Sequence, residues 1–456
     1  MSKEDLFRSS FDYLYEKQSK KSRTITASDS GSLSLESLQK SANAQGGGRH
    51  QGFDLALDVG EYAIQAPIRD WFGKAGLNEG SIGAHPDFQW IEGTDETRLH
   101  YITTVFIDIK NSTRLSFLYD LEKVRVIKNS ILRAASETVR ALDGHVHRFM
   151  GDALMAYFGG SGQDRESTCM AAVNCAAMLR LLMKEAIVPG LVRQGCDASD
   201  IGFRIGIDYG GDDQVLWSSY GYTAVSEVTA TSFYVDVAAK LQSMASKDKT
   251  MLGHNLVSYL DLSDAFTAIK TELQNGEPVN VPYLRPNYQL ADGTTLNYKI
   301  HELDIDKFAK ILPIPLGMRQ SLASGLKSRP GIEFKAFVET KHGLTPYPSV
   351  AWCVDKDSEL HFEVSIAPHA LDGLRAPLNC LWIRKNYGAE AENASMTADE
   401  RNTFDVQQST SARGGLPKKY RWSRDASFRG IHTMEVKISD GNGTVVFSDV
   451  IGVHIR

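Results

Sequence analysis

The sequence is short of cysteine, with five among 456 residues, at positions 169, 175, 196, 353 and 380. The number is odd and no two form a CxxC pair. This removes a disulfide framework and a zinc-ribbon pattern, and it fits a reducing compartment with buried or idle thiols. Long apolar runs are also missing. Nothing approaches the roughly 18 apolar residues needed to span a bilayer, and Met1 to Lys21 alternates charges with aromatics where a secretory segment would be continuously apolar. No membrane partner is expected, and the chain reads as cytoplasmic. Neither sign of charge dominates, since 50 Lys and Arg against 56 Asp and Glu leave a formal net charge of −6. Without a global field, nucleic acid is not an expected partner, and any anionic ligand must be held by a local site. No internal repeat is present.

What remains is a globular composition, 42% hydrophobic and 23% charged, on a chain long enough for two folded units. Residues 1–50 read as a helix carrying Phe7, Phe11 and Leu14 on one face, followed by a flexible linker through Gly46-Gly47-Gly48. Residues 51–98 form a segment ahead of the first regular unit. From Leu99 a β-rich run ends in Val105-Phe106-Ile107. A long helix follows, with Leu118, Leu121, Ile131 and Leu142 near one face and Gly144 as its stop. His145 to Phe149 and Ala153 to Phe158 read as strands around Gly151-Asp152, and Glu166 to Ala186 as a second helix. A strand from Ile201 to Ile207, a loop of about 20 residues and a helix from Phe233 to Ala245 come next. Strands at Thr250 to Leu252 and Leu296 to Leu303 complete the unit. Residues 99–310 are therefore expected to form an α/β sandwich of one sheet with packed helices. Beyond about Ser328 helical periodicity vanishes. Strands at 332–339, 349–354, 359–365, 378–384, 431–438 and 444–455, with an Asp440-Gly441-Asn442-Gly443 turn, predict a small all-β, immunoglobulin-like sandwich over 328–456.

Two acidic positions carry chemistry. Asp108 ends an apolar strand and is followed by the polar turn Ile109-Lys110-Asn111-Ser112-Thr113 at a helix start, where backbone amides favour phosphate. Asp152 sits at the hairpin tip beside Gly151. If the hairpin pairs beside the first strand, both carboxylates converge on one edge, where two divalent ions could bridge an attacking and a leaving oxygen. Taken singly, an Asp before Ser-Thr is an N-cap and a Gly-Asp pair is a turn.

Together they resemble the class III adenylyl and guanylyl cyclase catalytic domain. Phe106-Ile107-Asp108-Ile109-Lys110-Asn111-Ser112-Thr113 looks like its F-x-D-I-x-x-S-T motif, and Arg148-Phe149-Met150-Gly151-Asp152-Ala153 like its G-D-A hairpin. The resemblance implies a ferredoxin-like catalytic core working on a nucleoside triphosphate. It assigns two Mg²⁺ or Mn²⁺ ions to Asp108, Asp152 and the Ile109 carbonyl, with Asn111, Ser112 and Thr113 toward phosphate. Thr229 to Leu241 resembles the segment T-x-x-G-x-x-V-N-x-A-x-R-L, with Asp236 where the family has Asn and Lys240 where it has Arg. Ribose orientation and transition-state stabilisation then fall to Asp236 and Lys240. Arg148 and Thr229 occupy the two base-reading positions. A guanidinium offers only donors, which fits an acceptor such as uracil O4 or guanine O6 and opposes the cytosine and adenine amino groups; together with the likeness of the whole chain to a pyrimidine cyclase, UTP is the expected substrate. A cytidylate or purine cyclase is the alternative within the class, and a catalytically silent nucleotide-binding sensor is the alternative outside it. The family's triphosphate lysine has only a vague counterpart, Lys299.

Leu381 to Ala391 and Gly430-Ile431-His432 resemble the sensor-type domain attached to nucleotide cyclases of bacterial anti-phage systems, so the whole chain looks like a Pycsar-type pyrimidine cyclase. Such a resemblance implies a head-to-tail homodimer with composite sites, and a cyclic product that activates a separate effector. Trp352 and Trp382 can equally be core residues of the β domain. Tyr209-Gly210-Gly211-Asp212-Asp213 mimics an acidic catalytic turn but has no second acid motif of its own, and His145 and His147 alternate on a strand without a third ligand.

Overall fold

The computed structural model describes residues 2–20, 62–222, 225–406 and 416–456; the linker expected through Gly48 lies outside them. Helix α1 (Lys3–Lys20) buries Phe7, Phe11 and Leu14 as the sequence predicts, and α2 (Gln65–Trp71) follows. A short strand, β1 (Thr97–Leu99), precedes β2 (Ile102–Lys110), then come α3 (Leu121–Ala141), β3 (His145–Met150), β4 (Ala153–Phe158) and α4 (Arg165–Leu182). The chain continues through β5 (Gly202–Gly210), β6 (Leu216–Tyr222), β7 (Val225–Thr231), α5 (Phe233–Met244), β8 (Lys249–Gly253), α6 (His254–Tyr259) and β9 (Thr267–Ala268). A small hairpin, β10 (Thr271–Gln274) with β11 (Glu277–Asn280), and β12 (Ile300–Leu303) complete the unit. Seven strands form one sheet in the order β3-β4-β2-β5-β8-β12-β9. Central β2 is antiparallel to both neighbours and buried along nearly its whole length.

Two sequence expectations change here. The long helix does not open at the 111–113 turn. Ser112–Arg114 form a 3₁₀ turn, Leu115–Leu118 one helical turn, and α3 begins only at Leu121, capped by Asp120, whose side chain accepts from the Lys123 amide. The break rotates the pattern, so Leu118 and Leu121 are exposed while Ile131 and Leu142 are buried. The second change concerns the loop after β5, which folds into the β6–β7 hairpin and joins β1 in a three-stranded sheet. Trp217, Val228 and Ala230 of that hairpin pack on Met155 and Tyr157 of β4.

Beyond a helix at Leu316–Leu322 (α7), nine strands make two facing sheets. One sheet holds β13 (Ile332–Thr340), β14 (Gly343–Tyr347), β16 (Glu359–Ile366) and β19 (Lys418–Asp425); the other holds β15 (Cys353–Val354), β17 (Leu378–Lys385), β18 (Glu400–Val406), β20 (Gly430–Ser439) and β21 (Val445–Ile455). The sequence reading missed β14, β18 and β19, whose exposed residues blur the alternation. Trp382 is fully buried between the sheets, and all five cysteines are buried and unpaired.

The sandwich is not tethered loosely. Helix α4, with Ala171, Ala172, Ala176 and Ala177 among its buried residues, is apolar on almost every side, the mark of a helix covered all round. It packs on β2, β4 and β5, while Asn174 Nδ2 donates to the Val350 carbonyl at 2.9 Å and the Cys353 amide to Ser167 Oγ at 2.9 Å. Val350, Ala351, Ile431 and Val450 of the sandwich belong to the same apolar core as the catalytic-type unit.

Candidate active site

Asp108 lies opposite Ala153 of β4 and Arg204 of β5, so the hairpin tip and the first strand end meet as expected. The Ile109 amide donates to the Asp152 carbonyl at 3.1 Å, which fixes the two acidic residues on one edge. Gly151 takes φ +67° in the two-residue turn, a conformation a Cβ would strain. The Ser112 hydroxyl donates to the Asp152 carboxylate, and Arg204 Nε donates to Asp108 Oδ2 at 2.7 Å. Ser112 is therefore buried and engaged with Asp152, whereas Asn111 and Thr113 stay exposed. The helix-start cradle expected for phosphate is reduced to a 3₁₀ turn, with Asn111 in the left-handed region at φ 62°, so backbone alignment there is short and its dipole weak.

A cavity of about 470 Å³ opens on this edge, lined by residues 109–114, Asp152, Asp200 and Arg204. Two carboxylates and the strand-end Ile109 carbonyl are hard oxygen donors, the set that suits Mg²⁺ or Mn²⁺. Arg204 touches the same edge, and its cationic charge suits the phosphates such ions accompany. Sequence reading missed Arg204 because a strand arginine is unremarkable until the register sets it against Asp108.

Arg148 stands on β3 and Thr229 on β7, and the β6–β7 hairpin carries Thr229 beside the buried Tyr157 hydroxyl. Arg148 forms an ion pair with Glu227 of the same hairpin, while its Nε is buried without a hydrogen-bond partner. His147 Nε2 lies 3.0 Å from Glu227 Oε1. Glu227, unremarkable in the sequence, thus meets Arg148 and His147 only through the hairpin. Asp236 and Lys240 lie one turn apart on α5 and line a separate cavity of about 520 Å³ with Phe233, Tyr288 and Tyr298. Lys240 Nζ sits over the Tyr288 ring at 5.7 Å. This cavity shares no residue with that of the aspartate edge. Lys299 makes an isolated bridge with Tyr283 ahead of β12.

The other sequence candidates have structural partners. His145 Nε2 and His147 Nδ1 both reach the Gly83 carbonyl, at 2.8 and 3.0 Å, which explains their alternation without a metal. Asp212 of the Gly-Gly-Asp-Asp turn ion-pairs with Arg165 and accepts from the Tyr101 amide, at the end of β5 opposite Arg204.

The sequence model of the adenylate and guanylate cyclase catalytic domain matches residues 95–289, and that of the adenylyl/guanylyl and SMODS C-terminal sensor domain matches residues 318–456. A cytidylate cyclase of Escherichia coli is 36% identical over 406 residues, covering 87% of this chain and 88% of that protein. A cytidylate cyclase of Staphylococcus aureus is 30% identical over 394 residues, covering 85% of this chain and 86% of its own length. Among solved structures, an adenylyl cyclase from P. aeruginosa is 20% identical, with a TM-score of 0.37, covering 46% of this chain and 95% of that one. With the acidic hairpin edge in place and a sensor-type sandwich fused behind it, the chain belongs to the class III nucleotidyl cyclases that join an adenylate/guanylate cyclase catalytic domain to a C-terminal sensor domain.

Proposed function

We propose that this cyclase converts a pyrimidine nucleoside triphosphate into its 3′,5′-cyclic monophosphate and pyrophosphate, as a head-to-tail homodimer with two composite sites. One observation carries the composite reading: Asp152 and Ile109, next to Asp108 at the strand end, line one cavity of the chain, and Asp236 and Lys240 line another with which it shares no residue. A second copy that brings the two faces together supplies both halves. The reaction joins the ribose 3′ oxygen to the α-phosphorus and breaks the bond to the β-phosphoryl oxygen, releasing pyrophosphate and the hydroxyl proton. Bound at Asp108, Asp152 and the Ile109 carbonyl, two divalent ions would acidify the 3′-hydroxyl and offset phosphate charge. Within the chain, Ser112 orients Asp152 and Arg204 orients Asp108. Asn111 and Thr113 face the triphosphate, Asp236 orients the ribose, and Lys240 offsets negative charge developing on the phosphates.

CTP is the first reading of the base, supported by the cytidylate cyclases among the relatives. UTP is the second, favoured by the donor-only guanidinium of Arg148. The sensor-type domain and the likeness to Pycsar-type cyclases support a product that serves as a second messenger for a separate effector in anti-phage defence, in the cytoplasm. The test is incubation of the purified protein with each of the four NTPs and Mg²⁺ or Mn²⁺, with the product identified by mass. A cyclic pyrimidine monophosphate is expected. A cyclic purine product, or none from any triphosphate, overturns the reading, the latter in favour of a silent sensor.

A further inference from the structure

We propose that Glu227 selects the base: with Arg148 it forms a paired acceptor and donor surface that reads the Watson–Crick edge of cytosine and opposes that of uracil. The inference rests on the cyclase reading above. Arg148 is ion-paired with Glu227, so it does not act as the isolated guanidinium that its position in the sequence suggests. Glu227 Oε1 receives Arg148 and lies 3.0 Å from His147 Nε2. His147 is itself anchored to the Gly83 carbonyl at 3.0 Å, so the carboxylate is held against a fixed strand. Arg148 Nε is buried beside it without a hydrogen-bond partner. Both side chains remain partly exposed, at 40% and 44%, so a ligand can reach them.

The pair therefore offers an acceptor, the carboxylate oxygen, next to the guanidinium donors. Cytosine presents the complement in order: the N4 amino group donates, and N3 and O2 accept. Uracil presents acceptor, donor, acceptor, so aligning its O4 with Glu227 sets two acceptors against each other, and sliding it to satisfy N3–H leaves one ring oxygen unmatched. Adenine can match only two positions with a larger ring, and guanine matches the pair only in the reverse orientation. Thr229, whose hydroxyl donates or accepts, lies two residues along β7 on the same side of the strand as Glu227 and tolerates either pyrimidine. The carboxylate thus reverses the preference that Arg148 alone would give.

The experiment compares wild type, Glu227→Gln and Arg148→Ala for kcat/KM with CTP and UTP. It also measures binding of 3′-deoxy-CTP and 3′-deoxy-UTP, which lack the attacking hydroxyl, by calorimetry. Wild type should favour the cytosine nucleotide by about tenfold or more in both assays. Glu227→Gln, isosteric and able to turn its amide nitrogen toward O4, should collapse that ratio while keeping or raising activity on UTP; a merely structural Glu227 would weaken both substrates equally. Arg148→Ala should weaken binding of both bases. An unchanged ratio in Glu227→Gln, or a wild type that prefers uracil, overturns the proposal. A wild type that binds the deoxy-cytosine analogue selectively yet forms no cyclic product overturns the cyclase reading and leaves the base reading standing.

Discussion

At the scale of single residues, Asp108 and Asp152 differ in what surrounds them. Asp108 is buried against Arg204, whereas Asp152 sits at a half-buried hairpin tip held by Ser112. Asp108→Asn and Asp152→Asn should each abolish cyclic product, because a lost ligand charge weakens a divalent site directly. Only Asp108→Asn should also lower Tm, since it leaves the Arg204 guanidinium without its carboxylate. Mass detection of product alongside thermal melts checks both, and full turnover in either variant would contradict the metal assignment. Asp208 behaves oppositely to a ligand. It is buried and accepts from the Tyr298 hydroxyl at 2.6 Å and the Tyr209 amide at 2.9 Å, yet burial pushes its carboxyl up from 3.8 to about 7. The folded chain then holds a proton that the unfolded chain releases, so this group's contribution to stability falls as pH rises from about 4 to about 7. The Tm difference between wild type and Asp208→Asn should therefore shift against wild type across that window; a difference independent of pH would refute it.

At the scale of elements, a close approach sets the position of α5. The helix crosses β5 at Gly206, where a Cβ would collide with the Ala238 carbonyl and the Gln242 amide. Gly206→Val should push α5 off the sheet and carry Asp236 and Lys240 with it. The expected outcome is a kcat/KM loss of at least about tenfold and a loss of stability on the order of 1–3 kcal/mol from overpacking. Denaturant melts and initial rates test this, and a variant with native rates would show that the helix position does not matter. The strand from Phe203 to Ile207 was legible from its β-branched alternation, but the reason for its glycine was not, because the helix that meets it lies some thirty residues later in the chain. The β6–β7 hairpin escaped for a related reason. Its exposed Tyr220, Tyr222 and Val225 give no clean period, and the packing of Trp217 on Tyr157 is a tertiary event.

At the scale of the whole molecule, the sandwich completes the catalytic core. The Arg319–Asp449 ion pair at 2.7 Å is buried in the junction, and Arg429 Nη2 donates to the Tyr259 carbonyl at 2.6 Å. Truncation after residue 327 should expose the outer face of α4 and give an aggregating or strongly destabilised protein. A soluble truncated chain with native Tm would show that the two units are energetically independent. Assembly is tested by mixing an Asp108→Asn, Asp152→Asn chain with a Lys240→Ala chain. One intact composite site per heterodimer should restore part of the activity, and silence despite proven subunit exchange would exclude a site shared between copies.

The sequence by itself determined the class of chemistry, because Asp108 and Asp152 lie in short local motifs whose strand-end and hairpin contexts are written in neighbouring residues. It also determined the α/β unit followed by an all-β one, through the change in hydrophobic period near Ser328. The tertiary structure decided the partners. Arg204 meets Asp108 across 96 positions and Glu227 meets Arg148 across a hairpin whose existence the sequence hid. Such pairs depend on strand register and on which faces pack, and register is set by the burial of the whole sheet. The same long-range packing turned Arg148 from a lone donor, read as selecting uracil, into half of an acceptor and donor pair with Glu227.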